Sequence, residues 1–292
     1  MGQEFDIATV RSNVKDNVKQ ILANPEAMLM MSMLKSQSED LAQHSLNVSI
    51  LSIGFAHHLG FLKAELEDIG MAAMLHDIGL VKVEKRLIHK PSKLNEEEMS
   101  QVQKHCQFGF DILSGRRGLT PSCIDVAMAH HEQADGKGYP RGLVSNRITK
   151  VVKIISIIDV YDTITNYQVY AKIMSIKDAY REMMKGKGSR FDLELLLKFI
   201  KWRSIYPPGT IVELSNGEVG IVIGSKETNR LKPRIMLVLD EYKEPCKETI
   251  IDLSRLQPEM HNSGFRIIQA FENSAYGIDI QEYVEKGLVI NP

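Results

Sequence analysis

The chain has 292 residues, 43% hydrophobic and 25% charged, and its 36 Lys and Arg against 37 Asp and Glu give a formal net charge of -1. That length holds one large domain or one domain plus a small one, and the balanced charge excludes a global field that would recruit a nucleic-acid polymer or an anionic membrane. The three cysteines, Cys106, Cys123 and Cys246, are odd in number and far apart, which excludes a disulfide framework and fits a reducing cytoplasm.

Met1-Gly2-Gln3-Glu4-Phe5-Asp6 lacks the basic-then-apolar order of a signal peptide, and no apolar run reaches the length of a membrane span. From about residue 8 to 200 the chain reads as helices. Asp40 and His44 lie four apart and share a helix face. Val48, Leu51, Phe55 and Leu59 follow at helical spacing, as do Ile69, Ala73 and His76. Asn95 caps a helix opening with Glu96-Glu97-Glu98, where acidic groups suit the positive helix end. Pro121-Ser122 precedes a helix expected to carry His130 and His131. Lys150 to Tyr161 is rich in Val and Ile and would suit a strand in isolation. Its length and the lack of a strand partner nearby favour a buried helix.

Composition shifts at Tyr206-Pro207-Pro208-Gly209. Asn216-Gly217 between two apolar runs is a strong hairpin signal. Further strands are expected at Arg234 to Leu239 and Glu248 to Leu253, making a small barrel or curled sheet over residues 206 to 257. A short helix is expected at Ile278 to Lys286. The expectation is a mainly α protein: a helical bundle over 1–205 and a small β-rich, barrel-like domain with a helical tail over 206–292.

The chemistry concentrates in His76-Asp77 and in the run His130-His131-Glu132-Gln133-Ala134-Asp135-Gly136-Lys137-Gly138-Tyr139-Pro140. His44, His105 and Asp159 are further candidate ligands. Five of the nine histidines then fall in one constellation, which random placement of core histidines would rarely give. A carboxylate has two oxygens and can bridge two ions, whereas a neutral imidazole gives one nitrogen. Asp77 is therefore the natural bridge, and Asp77 and His76 are the catalytic candidates. Mixed nitrogen and oxygen ligands suit iron, manganese, zinc or nickel better than magnesium or calcium. Two such ions activate a bridging water and neutralise phosphate charge, the chemistry of phosphoester hydrolysis. Gly136, Gly138 and Gly142 allow a ligand close approach, Tyr139 offers a hydroxyl or ring face, Pro140 stiffens the turn, and Lys137 and Arg141 are candidate phosphate contacts. Lys153 and Lys172 are weaker ones. His57, His58, His89 and His261 read as surface or satisfied residues.

The ordered set His44-Ser45-Leu46-Asn47, His76-Asp77-Ile78-Gly79, His105, His130-His131-Glu132, Asp135-Gly136, Gly138-Tyr139-Pro140, and Asp159 with Tyr161-Asp162 resembles the HD-GYP family of metal phosphohydrolases. The resemblance covers about residues 10 to 200. It implies a helical domain holding two or three metal ions, often iron, and hydrolysis of bacterial cyclic di-GMP to pGpG or GMP. It implies metal ligation by His44, His76, Asp77, His105, His130, His131 and Asp159, and a role for Asp40 at a third ion. The β-rich tail is similar to a C-terminal extension of some relatives. Three positions depart from the pattern: Leu80 stands where the family usually has Lys, Gln168 where it often has Arg, and Gln133 where a basic residue is usual. Metal binding then reads as intact and phosphate recognition as weakened. Two alternatives follow: a metal-bound but catalytically weak sensor or docking module, and a phosphohydrolase of another nucleotide. A cyclic dinucleotide is the expected partner; a homodimer or a signalling protein is a further one.

Overall fold

The computed structural model describes residues 6–25, 41–166, 174–203, 206–225, 232–256, 265–271 and 275–285. These fall into two compact units, residues 6–22 with 41–199, and 23–25 with 200–285.

The first unit is helical. α1 (Ile7–Ala23) buries Val14, Val18 and Ile21, a stripe at helical spacing. α2 (Leu41–His58) is buried on all sides from Asn47 to Ala56, the mark of a central helix. It packs along α3 (Lys63–Leu75). The approach is close: a Cβ on Gly70 would lie 2.7 Å from Ile53 and 2.8 Å from Val14. A 3-10 segment (Ile78–Lys82) follows, then α4 (Lys85–Ile88) and α5 (Glu96–Gln103). Asn95 caps α5 as expected. Its side chain accepts from the Glu98 N–H at 2.8 Å, and the Glu98 carboxylate accepts from the Asn95 N–H at 2.9 Å.

α6 (His105–Leu113) and α7 (Pro121–Ala129) lead to α8 (Lys150–Asn166). Pro121 sits in the first turn of α7, where no N–H is needed. α8 is a helix despite its β-branched run, and it buries Ile154, Ile155, Ile157 and Ile158. It packs against α2 and α7, so tertiary burial overrides local propensity. α9 (Ile176–Lys185) and α10 (Leu193–Arg203) complete the bundle. Phe199 meets the rings of Phe55 and Tyr161 edge-on, with centroids 5.4 and 5.2 Å apart. No helix among the described residues is long and apolar enough to cross a membrane.

The second unit is a five-stranded antiparallel sheet in the order β4-β3-β2-β1-β5. β1 is Ile211–Leu214, β2 Val219–Gly224, β3 Arg234–Leu239, β4 Pro245–Asp252 and β5 Ile267–Phe271. The Asn216-Gly217 turn joins β1 to β2, with Gly217 at φ 90°. Alternate residues feed two cores, Ile221 and Met236 in one and Val222 and Ile235 in the other. Ile278 and Ile280, at the start of α11 (Ile280–Glu285), cover the first. β5 was not among the expected strands and lies beyond the expected limit at residue 257. It pairs with β1 across more than fifty residues of sequence, a long-range partnership that no local pattern announces.

Candidate metal centre

Each candidate ligand comes from a helix or a helix end. His44 lies on α2, His105 opens α6, and Asp159 sits within α8. His76 is the C-cap of α3, and Asp77 breaks the helix with φ -101° and ψ 12°. The helical spacing of Ile69, Ala73 and His76 therefore stops at His76, and Asp77 lies beyond the helix end. The break turns Asp77 toward α6 and α7. His130 is likewise the C-cap of α7, with His131 one residue past it rather than on the helix.

The break demands the glycine that follows. A Cβ on Gly79 would lie 1.9 Å from the His105 carbonyl oxygen and 2.5 Å from the Gly109 nitrogen. Only a bare backbone lets the 3-10 segment touch α6, and that contact brings Asp77 to His105.

The seven side chains converge. Asp77 Oδ1 lies 3.3 Å from His105 Nε2 and 3.4 Å from His130 Nε2, while Oδ2 lies 3.4 Å from His76 Nε2. Asp159 Oδ1 lies 3.2 Å from His44 Nε2 and 3.8 Å from His76 Nε2. Two groups have ligand atoms all within 4.8 Å of one another: Asp77 with His105, His130 and His131, and Asp77 with His44 and His76. Asp77 belongs to both.

Three rings are held in one tautomer. Nδ1 of His76 meets the Ala73 carbonyl at 2.7 Å, that of His105 the Val102 carbonyl at 2.8 Å, and that of His130 the Val126 carbonyl at 2.9 Å. A carbonyl can only accept, so each Nδ1 carries the proton and each neutral ring turns an Nε2 lone pair inward. His76 Nε2 is buried without a hydrogen-bond partner. The Nε2 atoms of His105 and His130 face each other at 3.3 Å, so two neutral rings would oppose their lone pairs. A buried lone pair without a donor is costly; a cation resolves both conflicts. The donor set fits a transition-metal centre.

Electrostatics agree. Burial raises the pKa of Asp77, but His76, His130 and His105 outweigh it and hold the carboxyl well below its usual range. Burial likewise opposes ionisation of Asp159, and His44, His76 and His131 overcome it. Burial pulls His76 and His105 down, and burial with His130 pulls His131 far down. These rings are kept neutral, as ligands must be. Burial also pulls on His44 and His130, but hydrogen bonds to Asp159 and Asp162, and to Asp77, leave both pKa values raised.

The loop after His131 is pinned by Glu132. Its buried carboxylate accepts from the Arg141 N–H at 2.7 Å and the Leu143 N–H at 2.8 Å. A Cβ on Gly138 would lie 2.3 Å from the Gln133 nitrogen, so the loop folds flat on its own start. The Tyr139–Pro140 peptide is cis, and the Tyr139 ring stacks on His131 with centroids 4.7 Å apart.

A cavity of about 470 Å3 opens onto the ligands. His44, Asp77, His105, His131, Asp159 and Tyr139 line it. Gly136, Gly138, Pro140, Lys137 and Arg141 do not: Lys137 lies 4.0 Å from Asp135, and Arg141 lies 3.4 Å from Asp125. Leu80 lines the cavity, while Lys82 sits over the Phe108 ring. Lys153 pairs with Asp192 at 3.1 Å. His57, His58 and His89 are exposed. Asp40, Gln168, Lys172 and His261 lie outside the described residues. Three residues with a part in the site had no role from sequence: Glu132; Asp162, which accepts from His44 Nδ1 at 2.8 Å; and Arg190, which lines the cavity. Only Asp162, four residues before Asn166 and three after Asp159, carried a local signal, since i,i+3 spacing shares a helix face.

An HD-domain family model matches residues 28–195, more than half of the chain. The chain belongs to the HD-domain family. A second model, a KOW domain associated with HD domains, matches residues 211–258. A cyclic di-GMP phosphodiesterase of Pseudomonas aeruginosa, PA4108, is 32% identical over 272 residues, 93% of this chain and 66% of that protein. The 3'3'-cGAMP-specific phosphodiesterase 2 of Vibrio cholerae is 29% identical, over 71% of this chain and 40% of its own length. The chain thus spans less than two thirds of the length of both relatives. Among solved structures, the HD-GYP-type protein Bd1817 of Bdellovibrio bacteriovorus is 19% identical with a TM-score of 0.57, over 65% of this chain and 60% of that one. That likeness agrees with an HD-domain fold.

Proposed function

We propose that this chain is a metal-dependent phosphodiesterase that opens cyclic di-GMP to pGpG or carries it on to GMP. The observation that carries the reading is Asp77, whose two oxygens face two separate groups of imidazoles beside an open cavity. The names of the relatives support the substrate. Two bound transition-metal ions, iron foremost, with manganese, zinc or nickel as alternatives, would lower the pKa of a water between them and neutralise phosphate charge.

The chain's own part is preorganisation. His76, His105 and His130 present fixed lone pairs, Asp162 orients His44, and Asn166 donates to Asp162 at 2.8 Å. Thr163 donates to Asp159 at 3.4 Å. Glu132 and Tyr139 hold His131 against its loop. Asp40 is assigned to a third ion. Gly136, Gly138 and Pro140 shape the loop around Tyr139, and Lys137 and Arg141 serve an approaching phosphate from outside the cavity. Three free cysteines suit a cytoplasmic location.

The test is metal analysis of protein purified without oxygen, followed by product analysis with cyclic di-GMP, 3'3'-cGAMP and linear dinucleotides. At least about two ions per chain are expected, the stoichiometry a shared carboxylate serves. Asp77→Asn should lose most of them, because an amide oxygen bridges without the charge. Full metal content in a folded Asp77→Asn protein rules out Asp77 as the bridge. Metal without turnover of any nucleotide moves the reading to a sensor or docking module, which Leu80 on the cavity wall favours. Turnover of 3'3'-cGAMP alone moves it to another cyclic dinucleotide.

A further inference from the structure

A cyclic dinucleotide carries two phosphodiesters on one macrocycle. When one lies over the ligand groups, the other remains charged on the far side of the same ring. Most of the remaining cavity wall is apolar, with Leu80, Leu87, Ile88, Met99 and Ile164 among its members, and such side chains offer an anion no donor. Among the described residues that line the cavity, Arg190 is the one permanent cation.

We propose that Arg190 holds the phosphate that is not being cleaved, and so selects substrates with two phosphates. This rests on the cyclic dinucleotide reading above. The backbone around Arg190 is fixed to the loop that carries Tyr139. The Ala134 N–H donates to the Arg190 carbonyl at 3.2 Å, and the Asp135 N–H to the Ser189 carbonyl at 2.8 Å. The Arg190 N–H donates to the Gly186 carbonyl at 2.9 Å. That same loop places Tyr139 against His131, so the arginine is tied to the ligand groups through a few backbone hydrogen bonds. The side chain itself is exposed, and no carboxylate among the described residues lies within ion-pair distance of it. Its guanidinium carbon lies 5.3 Å from the centroid of the buried Phe191 ring, which leaves the donor edge of the fork for a ligand. A planar fork of donors matches a phosphate's oxygens in pairs, and charge-assisted bonds of this kind are the strong ones.

The experiment compares wild type with Arg190→Gln and Arg190→Lys, each with its metal content measured. The substrates are cyclic di-GMP, with two phosphates, and bis(p-nitrophenyl) phosphate, with one. Arg190→Gln should raise KM for cyclic di-GMP by about ten- to a hundredfold, the value of one lost charged hydrogen-bond pair, with a much smaller change in kcat. The loss of kcat/KM on cyclic di-GMP should exceed that on the one-phosphate diester by about tenfold or more. Arg190→Lys should recover part of the loss, and metal content should match wild type. Equal losses on both substrates, or an unchanged KM for cyclic di-GMP, overturn the assignment. If wild type binds cyclic di-GMP without hydrolysing it, and Arg190→Gln loses that binding, the arginine assignment stands and the enzymatic reading falls. If wild type neither binds nor hydrolyses any cyclic dinucleotide, both fall.

Discussion

One part of the cavity wall is His44, Asp77, His105, His131 and Asp159, in a site where three rings are tied to helix carbonyls; another, formed by Leu80, Leu87, Leu94 and Met99, presents carbon to the same space. The polar side is over-determined. Its rings are tied to carbonyls, its carboxylates to rings, and its backbone to a glycine that admits no side chain. The apolar side is held only by packing, which tolerates exchange among residues of similar volume. The difference teaches where change is permitted. The geometry of the ligand groups depends on the part that tolerates least change.

The sharpest way to break this contrast is Gly79→Ala. A methyl 1.9 Å from the His105 carbonyl oxygen must push the 3-10 segment off α6. Overpacking of this severity costs about 3 kcal/mol, or a fall in Tm of about 6–12 °C for a unit of this size. Calorimetry with metal analysis checks it, and loss of metal should accompany the fall. An unchanged Tm would mean that the contact is loose.

The opposite side should accept a charge and gain from it. Leu80→Lys brings an ammonium to the cavity wall, where phosphate charge would be stabilised in a partly dry site. We expect kcat/KM for cyclic di-GMP to rise about tenfold, with a lower Tm because the ammonium loses water. Steady-state kinetics decide it. A folded variant with no gain shows that phosphate does not approach this wall.

The smallest effect concerns His44 in the metal-free protein. Its folded pKa is raised above 6.5 because the bonds with Asp159 and Asp162 outweigh burial. A raised pKa contributes stability that is complete below the unfolded value and is lost as pH rises through the folded one. Metal-free protein should therefore melt lower as pH climbs above about 6.5, while added metal, which displaces that proton, should flatten the dependence. A Tm series against pH, with and without metal, reads both. An apoprotein that gains stability over that range would contradict the assignment of charge.

How much of this was readable beforehand depends on whether the signal was local. His76-Asp77 and His130-His131 stood out because ligands adjacent in sequence are conspicuous, and Asn95 with Glu98 announced a helix start three residues apart. The bend between His76 and Asp77 was hidden, since its cause is Gly79 meeting α6, a contact between distant segments. β5 was hidden for the same reason. Arg190 was invisible as a lone arginine in a turn; only folding brings it beside Tyr139. Lys137 and Arg141, conspicuous next to the loop glycines, stand outside the cavity lining, because proximity in sequence does not fix direction.

The bonds from His76 to Ala73 and from His130 to Val126 have a consequence for redesign. Each ring closes the last turn of its own helix with one nitrogen while offering the other inward. An ionised carboxylate at either position could ligate, but it has no proton to give and would set its oxygens against the helix carbonyls. Exchanging nitrogen for oxygen ligands to favour a harder ion would then weaken the end of α3 or α7, by about 1 kcal/mol for each hydrogen bond lost, before any question of ion preference arose. At these two positions the choice of ligand is set by the helix end as much as by the metal.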